Sequence, residues 1–427
     1  MSGWMTVTWG TTLALAVTAM LAAPAVFSAP CASADEYHTP LAGEPLHTEF
    51  MGEKVDVDAR DRGHVTALTL GGTYYDSKQG STTASPIAAF YIKRVWETSR
   101  TRDVISIFVN DLEYDKSFGN LELVGLLNNY TLPGGQKETL NNQEIASSSV
   151  DWGDANALLG PGLRFKVAPF QVDNDLRLQL LGKVGYFYVK KNSDSAPTMV
   201  VPPDTMLYGG KLRGRYDGMR RNILELPHTG FAAGFDLDYT YRDKWTDWGT
   251  PGVTAFTKKN TQDFLQFTGY LMGVTGIPWM SEKNRLLFSL HGGTMDPKRA
   301  DRFNSFRIGG GPLQGESDDL ARPSYQGTMF NNILVSNYAI GALEYRRELN
   351  FFMYGHLRGS YIWANRAEVL GGGEVAFVND NGEAFSAGLD TGFFWHSSLY
   401  FEYTWDSGFI REGRPGSSYM VIWNESF

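Results

Sequence analysis

The sequence predicts an all-β fold, a closed antiparallel transmembrane β-barrel of sixteen strands. Apolar and polar residues alternate with a period of two along most of the chain, as in strands whose two faces meet different surroundings. The alternating segments extend over about 10–14 residues, whereas strands of soluble proteins average about 5–6 residues. Aromatic residues make up 14% of the chain and glycines number 47, a composition that favours many strands.

The start of the chain has the pattern of a secretory signal peptide. An uncharged stretch extends from Thr11 to Ala29, and Ala32-Ser33-Ala34 matches a cleavage site. We therefore predict a signal peptide over 1–34, a short periplasmic segment over 35–64 and an outer-membrane barrel over 65–427. The alternative is a lipoprotein signal ending at Cys31, which Pro30 disfavours.

Beyond Ala34 no segment approaches the roughly 18 consecutive apolar residues of a membrane-spanning helix. A membrane-embedded chain must pair all its backbone groups internally, so only a closed barrel remains. The strand over 397–406 illustrates its two faces. One face carries Leu399, Phe401, Tyr403 and Trp405, and the other carries Tyr400, Glu402, Thr404 and Asp406.

Sixteen segments with this pattern are predicted as strands, an even number as in single-chain bacterial barrels. They are 65–75, 86–97, 103–113, 118–130, 157–169, 176–190, 206–220, 229–242, 261–275, 284–296, 302–308, 333–348, 351–363, 383–395, 397–406 and 417–427. We expect periplasmic turns at Asn350 and His396. We expect extracellular loops over 131–156, 191–205, 243–260 and 309–332.

Composition and motif spacing exclude several other functions. A net charge of −9 disfavours nucleic-acid binding, and a single cysteine excludes a disulfide scaffold or a cysteine zinc site. The seven histidines lack metal-ligand spacing, so we expect no metal and no cofactor. Ser289 and His291 share one strand face, but no nucleophile elbow is present. We therefore predict that the protein is not an enzyme.

The end of the chain is typical of outer-membrane barrels. The last alternating strand places Tyr419, Val421 and Trp423 on one face and ends on the aromatic Phe427. We take Phe427 as a C-terminal barrel signal. Such a chain would contact outer-membrane lipid and lipopolysaccharide, and would depend on the barrel assembly machinery for its own insertion.

Three segments together resemble the bacterial surface antigen superfamily of outer-membrane assembly factors and two-partner secretion transporters. The first is a hairpin motif, Asp217, Arg220, Asn222, Pro227 and Gly230. The second, over 302–316, resembles the approach to a long loop that folds back into the barrel lumen, with Gly309, Gly310, Gln314, Gly315 and Glu316 as its motif. The third is the final block of strands, ending on Phe427.

The resemblance has two departures. Gln314 stands where the family has an arginine, and Arg358 stands on the barrel wall where an acidic residue is usual, while the wall residue Glu344 is retained. We hypothesise that Glu316 of the loop reaches Arg358, which also bonds Glu344. The 30 residues between 35 and 64 are too few for a polypeptide-transport-associated domain, so the resemblance implies a barrel-only member.

Three functions remain open at this point. The resemblance implies membrane-protein or lipid insertion or export at the outer membrane of a Gram-negative bacterium, through a seam between the first and last strands that can part. A passive porin-like channel for small solutes is the alternative, and a barrel enzyme is the third. The client, solute or lipid is not indicated by the sequence.

Overall fold

The computed structural model is a closed antiparallel β-barrel. It describes residues 39–76, 83–106, 109–140, 143–170, 172, 174–221, 227–250, 253–310, 319–328, 333–369, 374–392, 397–410 and 413–427. The signal-peptide prediction and the turn predicted at His396 lie outside these residues. No helix among them is long and apolar enough to cross a membrane.

Nearly all regular structure is β. The strands are β1 (Leu46–Phe50), β2 (Glu53–Val57), β3 (His64–Asp76), β4 (Thr83–Val95), β5 (Ser99–Ser106), β6 (Val109–Phe118), β7 (Leu121–Leu140), β8 (Gln143–Lys166), β9 (Asp175–Ser195), β10 (Thr205–Asp217), β11 (Gly230–Arg242), β12 (Asp263–Gly276), β13 (Asn284–Met295), β14 (Phe306–Ile308), β15 (Ile333–Asn350), β16 (Met353–Val369), β17 (Val375–Gly392), β18 (Ser397–Asp406) and β19 (Gly416–Ser426). The helical pieces are one turn each: Pro40–Ala42, Lys258–Thr261 and Pro297–Arg299.

Sixteen strands form the barrel wall. Strands β3 to β13 and β15 to β19 each pair with the next, and β19 pairs back to β3. The short β14 is an addition, because β13 pairs directly with β15 and β14 only continues that edge from Phe306↔Val335 to Ile308↔Ile333. Strands β1 and β2 form a separate hairpin. The predicted fold class is confirmed.

The barrel has an apolar outside and a polar inside, as the alternation predicted. Outward side chains are largely apolar and exposed, for example Leu159 at 62% and Leu357 at 59%. Inward charged side chains are buried, for example Asp115 at 0% and Glu402 at 1%. Water-soluble proteins have the opposite arrangement, with apolar side chains inside and charged side chains outside. Contact with the hydrocarbon of a membrane therefore keeps the exposed apolar side chains out of water.

Two errors in the predicted strands compensate each other in number. The prediction 103–113 joins the end of β5 to the start of β6, and 118–130 crosses the turn at Gly119 and Asn120, so two segments replaced the three strands β5, β6 and β7. The prediction 302–308 is not a wall strand. The carboxylate of Asp301 accepts from the backbone N–H groups of Phe303 and Asn304 at 2.8 and 3.0 Å, which turns the chain before β14 begins.

The two ends of the barrel differ in their connections. At one end, here called the terminal end, β3 begins, β19 ends and tight turns such as 351–352 connect the strands. At the opposite loop end, β7 and β8 extend far past their neighbours, so the predicted loop 131–156 is largely a hairpin.

Aromatic packing closes much of the loop end. Phe303, between β13 and β14, contacts Trp152, Phe187 and Trp248 with ring centroids 4.9–5.3 Å away. A buried bidentate pair between Arg242 at the end of β11 and Asp301 holds this connection in place, with one contact of 2.6 Å. The connections around Phe303 therefore pack over the lumen at the loop end.

Candidate functional site

A loop crosses the lumen of the barrel. Residues 319–328, here called the inward loop, belong to the connection between β14 and β15, and Leu320, Ser324, Tyr325 and Gln326 are all buried. On one side, the ring nitrogen Nε2 of His291 on β13 is 3.0 Å from the carbonyl oxygen of Leu320. The predicted inward fold is therefore confirmed, and His291 faces the lumen as a loop contact.

Gln326 fixes the inward loop to β16 and β17, which are two and three strands along the sheet from β13. Its side-chain amide donates to the carbonyl oxygens of Arg358 on β16 and Ala384 on β17, at 3.1 and 3.2 Å. Its carbonyl accepts from the hydroxyl of Ser360 at 2.6 Å. The next residue, Gly327, has φ of +80°, and a Cβ there would lie 2.9 Å from the side chains of Ser418 and Thr404. Glycine thus permits the close approach to β18 and β19.

The predicted loop motif is only partly within the described residues. Gly309 accepts a hydrogen bond from the backbone of Tyr325 at 2.9 Å, so it lies against the inward loop. A Cβ on Gly310 would lie 2.3 Å from the carbonyl oxygen of Thr328, which explains the glycine there. Gln314, Gly315 and Glu316 lie outside the described residues.

The two predicted wall residues are neighbours in the sheet and both are buried. Glu344 on β15 is the Cα partner of Arg358 on β16. Glu344, however, accepts from the Nε of Arg346, and the Nε and Nη2 of Arg358 hydrogen-bond to no described residue. The expected bond from Arg358 to Glu344 is not formed. The pairing of Arg358 with Glu316 stays a prediction.

A second segment fills the lumen at the terminal end. Residues 39–44, here called the N-terminal plug, are all buried, although the sequence suggested only a short periplasmic segment. Leu41 packs among the inward side chains of Tyr354, Tyr400, Met420 and Ile422. The hydroxyl of Thr39 donates to the carboxylate of Glu348 at 3.2 Å.

The hairpin motif explains how the plug is held. The guanidinium of Arg220 donates through Nε and Nη2 to the two carboxylate oxygens of Glu44, each at 2.6 Å, and both residues are buried. A bidentate, charge-assisted pair of this kind is strong and geometrically specific. The predicted motif residue Arg220 is thus a ligand for the N-terminal segment.

The other motif residues shape the turn around Arg220. Asp217 accepts from the backbone of Met219 at 3.0 Å and from Arg221 at 2.9 Å. Gly230 has φ of +107°, and a Cβ there would lie 2.3 Å from the carbonyl of Gly218. The carbonyl of Pro227 accepts from Arg346 at 2.6 Å. Asn222 lies outside the described residues.

His228, in the same turn, is neutral. Burial, together with the nearby cations Arg285, Arg220 and Arg346, lowers the pKa of His228 to about 2. Its Nε2 lies 2.9 Å from the Nη2 of Arg285, and because an arginine only donates, Nε2 accepts. His228 therefore stays uncharged across the physiological pH range and does not change the charge of the turn that holds the plug.

The lumenal wall from β4 to β12 carries a dense set of paired charges. Glu113 on β6 contacts the guanidinium groups of Arg100, Arg177 and Arg213 at 3.0–3.1 Å. Sequence reasoning missed this cluster and the plug ligand Glu44. The inward parity of these residues was readable, but their partners are up to 176 positions apart along the chain.

Solved structures have a similar barrel. BamA from Haemophilus ducreyi lacking POTRA domains 1–3 matches with a TM-score of 0.52 and 12% identity, over 90% of this chain and 76% of that chain. CdiB from Escherichia coli matches with a TM-score of 0.47 and 12% identity, over 90% and 67%. The toluene transporter TodX of Pseudomonas putida gives 0.31 and 10%, over 86% and 90%.

The likeness to BamA, at 12% identity, shows the fold alone. No family model matches the sequence, and no curated protein matches it. The chain is therefore a sixteen-stranded barrel of the kind found in outer-membrane proteins of Gram-negative bacteria, and its specific role has to be inferred from its own lumen.

We expect Glu44→Ala to release the N-terminal plug. The substitution leaves the guanidinium of Arg220 buried without its carboxylate, and breaking a buried pair costs about 3–5 kcal/mol. Ala42→Cys, introduced after Cys31→Ser, reports on the plug through maleimide labelling, because Ala42 is fully buried. Labelling should be slow alone and fast with Glu44→Ala. Glu49→Ala, at an exposed position, is the matched control and should leave labelling slow.

We expect Gln326→Ala to loosen the inward loop. It removes two donated bonds and one accepted bond, each of which contributes about 0.5–1.5 kcal/mol. Amide hydrogen exchange over 319–328 should accelerate, while exchange in β16 should not. Gln262→Ala, at the loop end, serves as control. Equal exchange in wild type and Gln326→Ala would contradict the assignment.

Proposed function

We propose that the protein acts in the outer membrane of a Gram-negative bacterium, in the insertion or export of membrane proteins or lipids, with its lumen closed at rest. The observation that carries the proposal is the inward loop, which extends from Leu320, packed with inward residues of β11 and β12, to Gly327, which lies against Thr404 on β18 and Ser418 on β19. An inward loop across the lumen would obstruct the free diffusion of solutes through a channel.

Two further closures support the same proposal. The N-terminal plug fills the terminal end, which we assign to the periplasm because both ends of the barrel sheet lie there. The aromatic packing around Phe303 covers the opposite end, assigned to the cell exterior. Each of these three segments fills part of the lumen, so removing one of them widens the path for a solute.

The seam between β3 and β19 is better paired than we expected from the sequence. We expected a short or poorly paired closure between the first and last strands, but β3 and β19 pair over ten residues, from Ser417↔Asp76 to Ser426↔Ala67, without a register shift. Strands β18 and β19 also pair over ten residues. Separating β3 from β19 would therefore break as many residue pairings as separating β18 from β19.

Conductance in planar bilayers tests the closed lumen. Wild-type protein should give small, erratic openings. Deletion of 309–332 should give larger and more stable openings, because it removes the inward loop from the lumen. Resistance of the folded barrel to unheated detergent gels verifies that the deletion variant has folded. Large, stable, ohmic steps from wild-type protein would instead support the passive channel and refute the proposal.

Engineered disulfides test whether the seam participates. Thr69 and Asn424 are lumenal Cα partners across β3 and β19, with the threonine hydroxyl 2.6 Å from the asparagine oxygen, so Thr69→Cys with Asn424→Cys should lock the seam. Ser398→Cys with Asn424→Cys locks β18 to β19 and is the matched control.

The readout is the protein and lipid composition of the outer membrane in cells carrying each variant. The locked seam should reproduce the composition of cells lacking the protein, and adding a reductant or using the control pair should restore the wild-type composition. A locked seam with wild-type composition would exclude lateral opening. Cells lacking the protein that differ only in small-solute uptake would refute insertion and export altogether.

A further inference from the structure

A cavity of about 230 Å³ lies in the lumen next to the aromatic packing of the loop end. It is lined by inward side chains of β7 to β12 and by the connection between β13 and β14. An engineered cavity of about 150 Å³ in another protein binds benzene. The lumenal cavity therefore has room for one six-membered ring that carries substituents.

Aromatic side chains line the cavity toward the loop end. Trp152 on β8, Phe187 on β9 and Phe303 all contribute to the lining, and they contact one another with ring centroids 5.1–6.0 Å apart. Because β8 runs from the loop end toward the terminal end, its inward residues Asp154 and Asn156 lie below Trp152. The cavity thus has an aromatic layer near the loop end and polar side chains below that layer.

The charged side chains of the lining favour a ligand without a net charge. Each cation of the lining has a carboxylate partner: Lys183 with Asp238, Lys211 with Asp236 and Asp238, and Arg242 with Asp301. An anion in the cavity would lie beside the carboxylates of Asp154 and Asp238, and a cation would lie beside three basic side chains. Either ion would also have to lose its hydration, which is costly without a dedicated partner.

Three lining side chains have polar atoms left for a ligand. The carboxylate of Asp154 accepts one hydrogen bond, from Asn156 at 2.9 Å, which leaves its second oxygen. Asn128 accepts from Asn156 at 3.2 Å, which leaves its amide nitrogen, and Gln266 donates to the backbone of Asn304 at 2.7 Å, which leaves its amide oxygen. Within the part of the chain that the structure describes, these three atoms have no hydrogen-bond partner and remain accessible. The cavity therefore offers a ligand both a donor and acceptors.

We propose that this cavity binds one neutral sugar ring of the pyranose type. A pyranose carries no charge, its hydroxyl groups both donate and accept hydrogen bonds, and its C–H groups pack on aromatic rings. It would use the free atoms of Asp154, Asn128 and Gln266 together with the aromatic layer. Water would satisfy the polar atoms but would leave the aromatic side chains in contact with water. The inference rests on the cavity and does not depend on the proposed insertion or export.

Calorimetric titration of the full chain, purified in a detergent without a sugar headgroup, tests the site. The probes are the methyl pyranosides of glucose, galactose and mannose, with cyclohexanol as an apolar ring and glycine as a zwitterion for comparison. At least one pyranoside should bind more tightly than cyclohexanol and glycine, and salt should hardly change its affinity because the ligand is uncharged. Equal binding of a disaccharide such as maltose or lactose identifies the end of a longer saccharide as the ligand, whereas binding of monosaccharides alone identifies a free sugar.

Two substitutions of nearly unchanged size locate the site. Asp154→Asn removes the free acceptor and Asn128→Asp removes the free donor, while both keep the oxygen that accepts from Asn156, so the barrel should still resist unheated detergent. Each should weaken pyranoside binding at least about tenfold. Asp194→Asn, at an exposed position of β9, is the matched control and should bind like wild type. The proposal is overturned if no pyranoside binds, if cyclohexanol or glycine binds as tightly, if neither variant is impaired, or if Asp194→Asn is equally impaired.

Discussion

Closure of one sheet is the constraint on which the structure depends. An isolated strand in hydrocarbon leaves its backbone donors and acceptors without water, so every strand must have two neighbours. Ten pairings between β3 and β19 complete that requirement, and Phe427 adds a further backbone bond to Thr66 at 2.8 Å. Once the sheet is closed, alternation assigns each side chain either to lipid or to the lumen.

The lumen then imposes a second requirement. Charged side chains on the inner face are removed from bulk water by the plug, the inward loop and each other, and buried charges are costly unless paired. The protein meets this with shared contacts, as at Glu113 and Asp175, rather than with isolated pairs. Such networks keep several arginines close together, which isolated pairs would not do.

Much of the fold could be predicted because alternation is a local signal. The outward residues Leu399, Phe401, Tyr403 and Trp405 are exposed and their neighbours Tyr400 and Glu402 are buried, as the pattern indicated. Short turns inside apolar sequence could not be recognised. The run from Val104 to Val109 is apolar except for Ser106, so its sequence does not mark the end of β5 at Ser106, and Gly119 with Asn120 interrupts only one predicted strand.

The site was less predictable, because its contacts join segments far apart in sequence. The hairpin motif included Arg220, yet its partner Glu44 lies in the segment that the sequence indicated only as a short periplasmic stretch. The loop motif pointed to the right connection, but the residues that bind the wall lie further along, at 319–328. No periodic pattern marks Gln326, whose role comes from three wall contacts alone.

The placement of these contacts relates the closures of the lumen to the seam. Leu41 of the plug packs on β16, β18 and β19 through Tyr354, Tyr400 and Met420, and the inward loop binds β16 and β17. The cations instead lie mainly on β5, β9 and β10, away from β16 to β18. Movement of β19 away from β3 would therefore disturb the packing of Leu41, although the plug is also bound by Arg220 and Arg62 on the other side. The plug therefore connects β18 and β19, beside the seam, with the arginines on the other side of the lumen.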